Sequence, residues 1–112
     1  MFDLPAMLQL DDETLPAFLT GRGLGLVLFG SHNGKPTLAQ ARVFDRRGPI
    51  RLGYIDALRC VAANKSHAVR FLPTLLVVRD GRVLAKLEGF HDRARLDAAL
   101  TMGAVASLAR AA

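Results

Sequence analysis

A chain of 112 residues, 51% hydrophobic and 22% charged, has enough length for one core and too much apolar content for disorder. The net charge is +5, but the basic residues are scattered, and one Tyr with no Trp offers little for base stacking, so no nucleic-acid partner is expected. No apolar run spans a bilayer, the opening Met-Phe-Asp-Leu-Pro lacks a signal-peptide pattern, and the single Cys60 excludes an internal disulfide; a cytoplasmic, reducing location with no membrane partner is the expectation.

Asp11, Asp12 and Glu13 precede Leu15, Phe18 and Leu19. Acidic residues before apolar side chains spaced by three and four predict a helix start, with Pro16 in the tolerant first turn. Thr20-Gly21-Arg22-Gly23 ends it. The run Leu24 to Phe29, bounded by glycines, predicts a strand buried on both faces. Loop residues from Gly30 to Pro36 follow. A short helix is expected from Thr37 to about Phe44, then a polar turn at Asp45 to Pro49.

Ile50 to Ile55 reads as the next strand. Asp56 is placed to cap a helix from about Ala57 to His67, with Leu58, Val61 and Ala62 facing inward. Leu75 to Val78 and Val83 to Leu87 flank an Asp80-Gly81 turn and predict an antiparallel hairpin. Asp92 caps a last helix carrying Leu96, Ala99 and Leu100. Residues 101–112 extend that helix or fray. A crossover helix demands a parallel strand pair and the hairpin an antiparallel one. The expected fold class is therefore α/β: a single domain over residues 1–112, with a mixed four- to five-stranded sheet covered by helices on both faces.

The segment from His67 to Val83, with Arg70, Pro73-Thr74, the apolar strand and the Asp80-Gly81 turn, resembles the second half of a thioredoxin. Tyr54-Ile55-Asp56 and Leu87-Glu88-Gly89-Phe90 fit the same pattern. The resemblance covers most of the chain and is strongest from Tyr54 to Leu100. It implies a thioredoxin-like fold, with a cis bond before Pro73 and a groove beside it. There the backbone pairs with an extended segment of a partner protein, a mode that needs only main-chain donors and acceptors.

Disulfide-reducing members of that family place Cys-x-x-Cys after the first central strand, where a helix N-terminus lowers the thiol pKa. Here Asn33-Gly34-Lys35-Pro36 stands against that motif, preceded by His32, and no cysteine occurs before Cys60. Val27 stands where the family keeps a buried carboxylate. Between Pro36 and Asp56 the chain is shorter than typical thioredoxins, so the second helix is short or distorted. These departures imply a non-redox protein-binding adaptor or chaperone. Its expected binding residues are His32, Asn33, Gly34, Lys35, Pro36, Phe71, Leu72, Pro73 and Phe90, with Phe29 below them. No catalytic residue, metal or cofactor is expected, and the partner is another protein or peptide segment bound by a monomer or weak dimer.

Cys60 has two readings. One is a small apolar side chain on the third helix. The other is a lone redox thiol open to oxidation or a mixed disulfide, which would make the protein a thiol-disulfide oxidoreductase or a redox-regulated one. The Gly89-Phe90-His91 triplet and the first loop are also similar, more weakly, to bacterial thioredoxin-like hydrogenase-maturation chaperones. The positive charge here suits an arginine-bearing signal poorly. A structural subunit contacting its assembly through residues 102–112 is a further alternative.

Overall fold

The computed structural model describes residues 7–31, 34, 40 and 50–100. The chain is α/β. Five strands, β1 (Leu8–Leu10), β2 (Leu24–Gly30), β3 (Arg51–Asp56), β4 (Thr74–Arg79) and β5 (Arg82–Glu88), form one mixed sheet in the order β1-β3-β2-β4-β5. β1 and β2 run parallel to β3, while β4 runs antiparallel to both β2 and β5. Among the described residues, three helices pack on it: α1 (Leu15–Leu19), α2 (Val61–Ser66) and α3 (residues 93–100).

The central strands are buried on both sides because their inner positions carry apolar residues in succession, not alternately. Leu26, Val27, Leu28 and Phe29 have no solvent contact, nor do Leu75, Val77 and Val78. Strand alternation divides them between two cores. On one face Val27, Phe29, Ile55, Leu76 and Val78 pack with Leu15 and Phe18 of α1 and Ala63 of α2. On the other, Leu26, Leu28, Tyr54, Leu75 and Val77 pack with Leu96 and Leu100 of α3. Helices thus cover both faces.

The hairpin forms as predicted. Asp80 and Gly81 both take positive φ, 49° and 85°, the left-handed pair that a tight two-residue turn requires. A bulge between Val77 and Val78 shifts the register, so that Val77 faces Ala85 and Val78 faces Val83. The last helix is also capped as predicted, with the Arg95 N–H donating to Asp92 Oδ1 at 2.9 Å.

Two expectations need correction. A three-residue strand, β1, precedes α1 and makes the sheet's edge beside β3; too short to show a period, it is defined by its parallel partner. The helix expected over residues 57–67 is confined to Val61–Ser66. The Asp56 carboxylate accepts the Leu58 N–H at 3.1 Å, holding residues 57–59 in a turn. The later start rotates the helix, so Ala63 is buried while Leu58, Val61 and Ala62 face outward. The helix expected over residues 37–44 and the turn at 45–49 lie outside the described residues apart from Gln40, which is helical and buried. Residues 101–112 also lie outside them.

Candidate functional site

Strand register brings four chain segments to one end of the sheet. Gly30 lies opposite Asp56, Phe29 opposite Thr74, and Thr74 opposite Glu88. The segments leaving or entering the sheet here carry Leu58 and Val61 after β3, Phe71 and Leu72 before β4, and Phe90 after β5. Among the described residues, seven large hydrophobic side chains are exposed, and these are five of them. Leu8 and Val83 are the other two. Scattered single exposures are ordinary in globular proteins; five on the segments at one end of the sheet mark that end as a candidate interaction surface.

The patch rests on an ordered frame. The Leu72–Pro73 peptide bond is cis. Pro73 is buried, and its carbonyl accepts the Gly89 N–H at 2.8 Å. The Thr74 hydroxyl donates to the Phe71 carbonyl at 2.6 Å. Lys86 Nζ donates to the Ala68 carbonyl at 2.9 Å, and Arg70 lies 3.9 Å from Glu88. Between these anchored neighbours, the Leu72 backbone has no hydrogen-bond partner among the described residues. On the β5 side, Gly89 turns the chain with φ 85°. Gln40 then clamps His91: its side-chain amide donates to the His91 carbonyl at 2.9 Å and accepts the His91 N–H at 2.6 Å. The fully buried Gln40 therefore fixes the segment that presents Phe90.

Of the residues expected to bind a partner, Phe71, Leu72, Pro73 and Phe90 come together at this pole, three of them exposed and Pro73 beneath. Phe29 is wholly buried core, with its ring centroid 6.2 Å from that of His67. Burial holds the His67 pKa below the usual imidazole value. Gly34 is described, its N–H donating to the Ser31 carbonyl at 3.1 Å; His32, Asn33, Lys35 and Pro36 lie outside the described residues. Val27 lies inside the core. Gln40, Leu58 and Val61 were not anticipated. The late start of α2 exposes the last two, and no local sequence signal marks that shift.

Cys60 immediately precedes α2 and is buried. Burial, then the charges of Asp12, Asp56 and Asp11, push its thiol pKa up, against the opposing effect of the Asp12 backbone N–H. That environment disfavours a thiolate, the form required for nucleophilic chemistry. Among the described residues no cluster of His, Cys, Asp and Glu has the arrangement of a metal site, and no helix is long and apolar enough to cross a membrane.

Neither the protein-family models nor the curated proteins compared with this chain give a match.

Proposed function

We propose that this is a thioredoxin-like protein lacking the Cys-x-x-Cys pair, which acts as a non-redox adaptor or chaperone by binding an extended apolar segment of another protein. The observation that carries the proposal is the gathering of Leu58, Val61, Phe71, Leu72 and Phe90 at one pole of the sheet. An extended peptide can pair with the Leu72 backbone, which has no partner among the described residues, and set alternate side chains onto the exposed aromatics, so affinity comes from the main chain and selectivity from the apolar contacts. The buried, poorly acidic Cys60 supports binding over thiol exchange.

The test is a peptide array of unfolded-protein sequences probed with the chain, followed by anisotropy titration of the best binder. Replacing Phe71 and Phe90 together by Ser is expected to weaken binding by roughly tenfold or more. The urea midpoint should change little, since both side chains are exposed. Cys60→Ser should bind like the parent. Undiminished binding by the double variant, or insulin reduction that Cys60→Ser abolishes, would refute the proposal.

A further inference from the structure

A second feature lies away from this pole. α1 stands off the β1/β3 edge and leaves a cleft of about 670 Å³, lined by Leu8, Leu10, Ala17, Phe18, Leu52 and Arg51 among others. That volume is in the range of small-molecule sites. The walls are mostly apolar, with Gln9 and Thr14 adding polar groups, and Arg51 is the sole charged residue among them.

Arg51 is built into the fold. Its guanidinium lies 4.7 Å from the centre of the Phe18 ring. Nη1 donates to the Phe18 carbonyl at 2.6 Å and Nη2 to the Gly21 carbonyl at 3.3 Å, closing the C-terminus of α1. A Cβ at Gly21 would fall 2.6 Å from Nη1, and one at Gly25 3.2 Å from Nη2. These two glycines therefore leave room for the cation. Nε is buried without a partner. No carboxylate pairs with Arg51 among the described residues, where its positive charge meets neutral carbonyls and a ring. A guanidinium has five N–H donors; the two carbonyls take one from each Nη, leaving a further donor on each. A partly buried cation with no counterion among the described residues, at the edge of a mostly apolar cleft, is matched by an anion that brings its own hydrocarbon.

We propose that this cleft binds a small amphiphilic monocarboxylate, with the carboxylate on Arg51 and the hydrocarbon chain along Leu8, Ala17 and Phe18. This site is independent of the pole that carries the peptide-binding proposal.

The probe is octanoate, titrated by calorimetry and by amide chemical-shift mapping, with octanol as the neutral counterpart. Saturable one-to-one binding of octanoate is expected, with octanol weaker by about tenfold or more, the scale of a charged hydrogen bond. Arg51→Met should lower octanoate affinity by a similar factor and leave octanol unchanged. Because Arg51 also braces α1, Ala17→Phe at an exposed helix position provides a second variant that fills the cleft and should abolish binding of both probes. Equal affinity for octanoate and octanol, binding that survives Ala17→Phe, or no saturable binding below the micelle threshold overturns the proposal. Tighter binding of an acetylated leucine-ending peptide acid would also overturn it, in favour of a chain terminus as ligand.

Discussion

Gln40 gives the sharpest test of how this fold supports its apolar pole. Its side chain is fully buried and makes two hydrogen bonds to one backbone unit, at 2.9 and 2.6 Å. Gln40→Leu keeps the approximate volume and removes both bonds, leaving the His91 N–H and C=O without protein partners. At a net ~0.5–1.5 kcal/mol per bond, with more lost where water cannot replace it, the expected cost is about 2 kcal/mol. At about 2.1 cal/mol/K of unfolding entropy per residue, over 112 residues, that lowers the melting temperature by roughly 8 °C. Urea unfolding followed by circular dichroism measures it. Gln40→Glu separates the two bonds. Its carboxylate still accepts the His91 N–H but turns a second anionic oxygen toward the His91 carbonyl. Protonation restores a donor there, so the folded-state pKa of the new Glu is raised. Gln40→Glu should therefore be destabilised at neutral pH and recover stability as the pH falls through that raised pKa. If Gln40→Leu unfolds at the parent's urea midpoint, or if the Glu variant shows no gain on acidification, the clamp does not hold this segment.

Two further outcomes rest on other contacts. The Ala63 N–H in the first turn of α2 donates to Asp12 Oδ1 at 2.8 Å, and the helix has no cap from its own Cys60; Asp12→Ala should cost about 1 kcal/mol and Asp12→Asn much less, with equal losses by urea titration ruling out a capping role. Tyr54 is the sole tyrosine, and burial first, then Asp56 and Cys60, push its pKa up to about 12, so near-ultraviolet phenolate absorbance of the folded protein should rise near that pH. The unfolded chain loses this proton near pH 10, so the stabilisation is complete below that and declines between about 10 and 12. Tyr54→Phe should flatten the decline, and a midpoint near 10 while the dichroism remains native would contradict the burial argument.

The features readable from sequence were those that local chemistry determines. Uninterrupted apolar runs located β2 and β4, Asp80-Gly81 located the hairpin, and Asp92 located the start of α3. Phe71, Leu72 and Phe90 were singled out as binding residues on the strength of a motif, and all three are exposed at one end of the sheet. The unforeseen features depend on distant partners. β1 is a strand because Leu8 to Leu10 lie against Gly53 to Ile55. α2 starts late because Asp56 is engaged in a turn and the cap arrives from Asp12. Gln40 reads as an ordinary polar helix residue until His91 is placed beside it. The charge on Arg51 is unremarkable in the sequence, and only the fold shows that no acid among the described residues meets it.

At the opposite pole, the turns before β2 and after β4 are joined to each other: the Gly23 N–H donates to Asp80 Oδ1 at 2.7 Å and the Asp80 N–H returns to the Gly23 carbonyl at 3.2 Å. This clasp makes the hairpin tip a poor place to open the chain, although exposed tips usually tolerate new ends. A circular permutant cut between Asp80 and Gly81 would loosen two loops at once, whereas a dye or tether attached at the exposed Arg82 side chain leaves the clasp closed and the apolar pole unobstructed.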